Sequence, residues 1–207
     1  MPPIPDGDVF VHAGDLMYEG TPAEWQSRID WLASLPHKVK LIVPGNHDFY
    51  TQHYEGLARS QLRKQAGFKM VTLEDGLIKL PNGMTMLGIQ WVTGLPGWAW
   101  SKDDEWLEDK LTKAAYRPHI VVSHAPVYGV VDKLYPHKHG YAQESVGTIA
   151  FANWLRQTPV FARPEHWFCG HIHESYGSDS LYGVQFHNVA MCDRRYEQVN
   201  PPIVVDV

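Results

Sequence analysis

The sequence predicts an α/β fold in which a β-sheet is doubled into two layers and flanked by helices. Three observations carry that reading. Short apolar runs alternate with helical patterns near the start, Asp-Gly and Asn-Gly turns crowd the middle, and a strand–helix–strand order closes the chain. No repeat or low-complexity linker interrupts the 207 residues, so residues 1–207 read as one domain. A chain of this length buries roughly 70% of its unfolded surface and needs no disulfide to hold a core.

The elements follow in order. "DVFVHAGD" reads as a strand, Val9 to His12, that stops at a glycine turn. "TPAEWQSRIDWLASL" reads as a helix: Thr21 is the N-cap, Pro22 suits the first helical position, and Glu24 completes a capping box. Trp25, Ile29 and Leu32 share one face of it. "HKVKLIVPGNHD" is a strand running into a Pro-Gly turn, and Tyr54 to Gln65 is helical. "KMVTLEDGLIKLPNGMTMLGIQWV" divides into short strands joined by Asp-Gly and Asn-Gly, both hairpin signals. A helix over Asp103 to Ala115 follows, with Trp106, Leu107 and Leu111 inward. Then come a buried strand Ile120 to Val122 ending at His124, a helix around Ser145 to Arg156, and a strand in "PEHWFCGHIH". Short strands near Tyr176, over Val184 to Asn188 and over Ile203 to Val207 complete the list.

Composition excludes several functions. A net charge of -5, from 18 basic and 23 acidic residues, does not suit bulk binding of nucleic acid. No apolar run approaches the ~20 residues of a membrane span, and "MPPIPDGD" lacks the basic and apolar parts of a leader. Cys169 and Cys192 form no CxxC pair, so a reduced, cytoplasmic protein is expected.

Twelve histidines are the unusual feature, and their positions matter more than their number. Four predicted strands each end in a turn with a polar side chain able to bind a cation. Asp15 follows Gly14, Asn46 and His47 follow Gly45, His124 closes "VVSH", and His171 and His173 follow Gly170. Sites in α/β folds gather at the carboxyl ends of strands. Pooled there, these nitrogen and oxygen donors suit Mn, Fe, Zn or Co better than a thiolate-rich structural zinc site. Taken singly each motif is ordinary: Gly-Asp is common turn chemistry, and a lone strand-end histidine is usually just packed. His37, His53, His119, His137, His139 and His166 read as surface or loop residues, His12 as packing beside the sheet, and Cys169 as buried and inert. "YPHKHGY" is a solvated loop or a cleft wall, and "WVTGLPGWAW" is either a packed loop or a stacking platform.

In this order and spacing, "HAGD", "PGNHD", "VSHAP" and "CGHIH" resemble the calcineurin-like metallophosphoesterases over essentially the whole chain. "PDGDVFVHAGDL", "GHIHESYG" and "NPPIVVDV" are similar to the metallophosphoesterase-domain-containing (MPPED-type) subgroup, which resembles cyclic-nucleotide phosphodiesterases. The resemblance implies a metal-dependent enzyme that hydrolyses small, cyclic-nucleotide-like phosphodiesters by attack of a metal-bound hydroxide, with Mn as its metal and Fe, Zn, Co or Ni as alternatives. It implies that Asp15 bridges two metals, that Asn46, His124 and His171 complete the second site, and that His173 belongs to the first. His47 then sits beside the phosphate with Asn46 and acts on the leaving oxygen, while Asp48 holds the His47 imidazole in its useful tautomer. A phosphomonoesterase or nuclease of the same fold, or a degenerate non-catalytic metal-binding module, are the alternatives.

The sequence departs from that pattern in one respect. The family's first strand ends in Asp-x-His, and no Asp-x-His occurs here, with 14 residues ahead of Asp15. The first metal site is therefore expected to be weak or empty, and the first strand missing, through truncation or as a natural short form. A sheet edge left open in this way invites pairing with a second copy of the chain.

Overall fold

The fold is that of a computed structural model, which describes residues 3–134 and 144–207. Strands β1 (Val9–His12) and β2 (Val39–Ile42) lie parallel, joined by helix α1 (Pro22–Ala33). The capping box forms as the sequence predicts: the Glu24 amide donates to Thr21 Oγ1, and the Thr21 amide donates to the Glu24 carboxylate. Trp25, Ile29 and Leu32 are buried, as their spacing predicts. Helices α2 (Phe49–His53) and α3 (Glu55–Gln61) follow, and a π-helical turn over Leu62–Ala66 ends at Gly67 in the left-handed region. Strand β3 (Lys69–Met70) then pairs with β2, giving a three-stranded parallel sheet in the order β1-β2-β3.

The Asn82-Gly83 turn joins β4 (Leu77–Lys79) to β5 (Thr85–Ile89) as an antiparallel hairpin. The Asp75-Gly76 hairpin expected from the sequence does not form. The Asp75 carboxylate instead accepts from the Thr72 amide and hydroxyl and pairs with Arg59, so the segment tightens into a 3₁₀ turn. Chain direction changes there, and β4 enters a second sheet rather than returning along β3. Past short strands β6 (Val92–Thr93) and β7 (Ser101–Lys102), helix α4 (Asp104–Ala114) is capped by Asp103, which accepts from the Trp106 amide. Strand β8 (Ile120–Ser123), the β9 (Lys133–Leu134) and β10 (Glu144–Ser145) pair, helix α5 (Ile149–Gln157), and strands β11 (His166–Cys169), β12 (Gly177–Leu181) and β13 (Val184–Asn188) complete the fold. Residues Ile203–Val207 form no strand; they follow Pro201-Pro202, which lack amide donors, and run along the surface.

The second sheet has the order β12-β13-β11-β8-β5-β4. Its four central strands are parallel and its two edge strands antiparallel. Helices α1 to α3 pack on the outer face of the first sheet through Trp25, Ile29, Tyr50 and Ala58. Helices α4 and α5 pack on the outer face of the second through Leu107, Leu111, Phe151 and Trp154. Between the sheets lie Leu41, Val43, Val71, Met86, Ile120 and Val122. The architecture is therefore helices, sheet, sheet, helices, as expected. Among the described residues β1 is an edge strand, bonded to β2 on one side only. No described helix is long and apolar enough to cross a membrane.

This layering aligns the carboxyl ends of β1, β2, β8 and β11. Close approach of the sheets depends on Gly88 in β5, where an added Cβ would meet the side chains of Val71 and Val43. Gly88→Val should overpack this interface and lower stability by about 1–3 kcal/mol. Thermal denaturation of the two proteins checks this.

Candidate metal centre

Each of the four strand ends hands its residue to the same point. The β1 turn carries Asp15 and the β11 turn His171, both non-glycine residues in the left-handed region, with φ of 54° and 66°. Such backbone costs about 1–3 kcal/mol per residue and is concentrated at functional sites. The glycines make room for it. A Cβ on Gly14 would run into the His124 ring, and one on Gly45 into Asp15 and the same ring.

One ligand atom each from Asp15, His124 and His171 lies within 4.8 Å of the others. The fully buried Asn46 joins them through its side-chain oxygen, 3.0 Å from His124 Nε2. Asp15 Oδ2 lies 3.1 Å from the same nitrogen. On the far side of the ring, Nδ1 is 2.8 Å from the Ala13 carbonyl, which only accepts, so Nδ1 carries a proton. In the neutral tautomer that leaves Nε2 as a bare lone pair facing two more oxygen acceptors. Three acceptors facing one another need a cation between them, either a proton on Nε2 or a metal ion. The donor set fits a divalent metal with nitrogen and oxygen preferences.

Comparison with known proteins agrees with this geometry. A sequence profile of the calcineurin-like phosphoesterases matches residues 1–175. The chain belongs to the calcineurin-like phosphoesterase family. It is 28% identical to human metallophosphoesterase domain-containing protein 1, an alignment that takes in 99% of this chain and 66% of that protein. A UPF0046 protein of Caenorhabditis elegans is 25% identical over 100% of this chain and 75% of its own length. The glycerophosphodiester phosphodiesterase GpdQ of Enterobacter lignolyticus is 26% identical, over 94% of this chain and 69% of its own. The chain thus spans about two thirds of the length of the human relative. A solved crystal structure shares the fold with a TM-score of 0.62 at 13% identity, over 81% of this chain and 63% of the other. The family is metal-dependent, and the cluster around His124 is the place in this member where an ion fits.

The remaining expected residues are placed as follows. His47 is held close to the cluster, its amide donating to Asp15 Oδ1 at 2.9 Å. Its Nδ1 lies 2.6 Å from the Tyr18 carbonyl and so carries the proton. This corrects the expected role of Asp48. The Asp48 carboxylate does not touch the His47 ring; it accepts from the amides of Met17 and Gly45, at 3.0 and 2.8 Å. Asp48 is fully buried and ties the Asp15 turn to the Gly45 turn, while a backbone carbonyl selects the His47 tautomer. His173, expected at the first site rather than the second, stands outside the 4.8 Å cluster. Its Nδ1 lies 3.0 Å from the Asp193 carbonyl, and its ring meets Tyr196 edge-on. Among the described residues, Asp15, His124 and His171 are the one group of titratable side chains close enough to share an ion. His12 is not in it. Its ring is buried in β1 with Nδ1 unpaired, and burial, against the pull of Asp15, lowers its pKa to about 4. His37 is buried against the Pro5 carbonyl rather than exposed. Cys169 is buried, and burial pushes its thiol well up, as an inert cysteine requires. "YPHKHGY" lies outside the described residues.

Sequence reasoning missed Tyr18, whose contribution is a backbone carbonyl, and Tyr196, which lies beyond the last motif. The tryptophan-rich loop divides: Trp91 and Trp100 are core residues, while Trp98 is exposed over the His47 ring at 4.7 Å.

Protonation follows from these contacts. Burial alone would raise the Asp15 pKa, but His124, His171 and the His47 amide hold it well below the usual carboxylate range. Burial disfavours a charge on His124, and Asp15 with the Ala13 carbonyl more than offsets that, so its pKa is raised. Burial and the charge of His124 pull His171 down to about 3, which leaves it neutral and ready to bind a cation.

Two predictions result. Metal and proton compete for His124 Nε2. In the metal-free chain the His124–Asp15 pair contributes stability in full below the ordinary histidine pKa and loses it as pH rises through the raised value. Chelated protein should therefore melt at lower temperature as pH is raised from about 6 to 9, while the gain on adding Mn should grow over the same interval. Thermal scans with and without chelator read both slopes. Separately, Gly45→Ala should cut metal affinity by about ten- to a hundredfold, as removal of a ligand-supporting contact does. Metal content after dialysis measures it.

Proposed function

We propose that this chain is a metal-dependent hydrolase of small phosphodiesters. One observation carries the reading: Asp15, Asn46, His124 and His171 form a candidate cation site, the His47 backbone amide is tied to Asp15, and its imidazole has a fixed tautomer. The family membership supports phosphoester hydrolysis, and the name of one relative, a glycerophosphodiester phosphodiesterase, favours the diester. Cyclic-nucleotide-like diesters are the substrate class suggested by the sequence resemblance.

The chain's residues divide the work. Asp15, Asn46, His124 and His171 would hold a divalent ion, Mn in our reading. When bound, such an ion withdraws charge from phosphoryl oxygens and acidifies coordinated water. Asp15 also fixes the His47 backbone, so the imidazole moves little relative to the ion. With Nδ1–H donated to Tyr18, His47 presents Nε2 as its exchangeable position, suited to holding or delivering the proton that the leaving oxygen needs. Asp48 keeps two turns in register without touching the substrate.

A second reading, a metal-binding module without turnover, requires only the Asp15, His124 and His171 cluster. Hydrolysis of bis-p-nitrophenyl phosphate against p-nitrophenyl phosphate, across Mn, Co, Ni and Zn, separates the readings. We expect diester turnover, lost on His171→Asn. His47→Ala should lower kcat by about 10²–10⁴-fold while metal content stays near that of the parent. Tight metal uptake with no turnover of either ester under any ion would establish the module instead.

A further inference from the structure

Five rings form an unbroken arc at the mouth of the metal centre. Trp98 leans on His47 with centroids 4.7 Å apart. Tyr18 also meets the His47 ring, at 5.7 Å and nearly parallel at 25°. Tyr18 meets Tyr196 perpendicularly at 5.6 Å, and Tyr196 meets His173 in the same way at 5.1 Å. Three of these rings are left in water: Tyr18 is 59% exposed, Trp98 41% and Tyr196 56%. Scattered exposed aromatics are unremarkable on any surface. These three come from three separate segments and are connected through His47, with His173 closing the arc. The arc ends at an open cleft of about 440 Å³ whose walls include His173, Tyr176, Asp193 and Arg194. That volume lies within the range of small-molecule sites.

We infer that Tyr18, Trp98 and Tyr196 form a stacking subsite for a flat aromatic or heteroaromatic ring carried by the phosphoester, and that they set substrate preference. The inference rests on the phosphodiesterase reading above and names the part of the substrate that this reading leaves open. The physical reason is that partly exposed rings beside His47 offer π-surface to a ligand. A flat group bound there exchanges water for stacking on an exposed ring, whereas an alkyl group of similar reach gains less. Two χ angles per tyrosine make the ordering cost small. Tyr18 contributes its ring to the subsite and its carbonyl to His47, so removing the ring leaves the backbone acceptor in the chain.

Phenyl p-nitrophenyl phosphate and methyl p-nitrophenyl phosphate share a leaving group and differ in the ring alone. In the manganese-loaded chain we expect kcat/KM to favour the phenyl ester by at least about tenfold, the size of one good stacking contact. Tyr196→Ala and Trp98→Ala should each bring that ratio down severalfold, mainly through KM, and Tyr196→Phe should keep it. A ratio near one in the parent chain, or a ratio unmoved by both alanine variants, overturns the inference. Calorimetric titration of phenyl phosphate against methyl phosphate reads the same subsite without turnover. Selective binding of phenyl phosphate that Trp98→Ala abolishes, with neither diester hydrolysed, would sink the phosphodiesterase reading and leave the ring subsite standing. Brisk hydrolysis of both diesters with no ring preference would do the reverse.

Discussion

The structure is organised around one electrostatic requirement: the Nε2 lone pair of His124 faces the oxygens of Asp15 and Asn46, and a positive charge must lie between them. Everything that brings those atoms together carries a cost that the charge offsets. Asp15 and His171 hold left-handed backbone, and Asn46 and His124 are taken out of water. A proton satisfies the arrangement in part, since it neutralises one pair. A divalent ion would satisfy all the oxygen and nitrogen donors together, which is why this geometry fits a metal centre better than a buried ion pair kept for stability.

Support for that point comes from outside it. The Asp48 carboxylate, fully buried, accepts amides from both the turn after β1 and the turn after β2. Burial and the neighbouring charge of Asp15 raise its pKa, so the two carboxylates repel while two amide donors hold Asp48 in place. The strain is tolerable because the strands beneath are locked in register, with Val9 opposite Val39 and His12 opposite Ile42. The Val43 amide continues that ladder by donating to the His12 carbonyl. The first sheet thereby fixes Asp15 against Asn46, and β8 beside β11 fixes His124 against His171. Gly14 and Gly45 let the two halves close to contact distance.

What could be read from the sequence follows from which physical signals are local. Helix α1 announces itself through a cap, a proline and an apolar stripe within fifteen residues, and it forms as read. The strand ends were legible because each finishes at a turn with glycine or a polar side chain, and the fold then had to bring four of them to one edge. Asp48 was misread for a different reason. Its neighbour in sequence is His47, but a carboxylate bonds whatever donor lies nearest in space, and here those donors are amides of residues 17 and 45. The partner that does hold His47 is a carbonyl, which every residue has, so no side-chain pattern could reveal it. The switch of sheets after β3 was hidden because Asp-Gly serves hairpins and 3₁₀ turns alike, and the deciding contact, Arg59, comes from helix α3. Composition could not divide the tryptophans, since only the course of the loop puts Trp98 outside and Trp91 and Trp100 within.

The carbonyl that holds His47 has a consequence for how the site responds to its surroundings. A carboxylate in that position would hold its charge over one range of pH and lose it in another, and the tautomer would change with it. The Tyr18 carbonyl does not titrate, so the Nδ1 proton of His47 stays where it is whenever the ring is neutral. The turn that supplies the carbonyl also supplies the Tyr18 ring against the imidazole, and Trp98 bears on the same ring from another segment. Orientation of the imidazole is thus set by packing and one neutral acceptor, while the ionisable groups, Asp15 and His124, are committed to the cation. Separating the two duties lets the ion site exchange proton for metal without disturbing the orientation of the His47 imidazole.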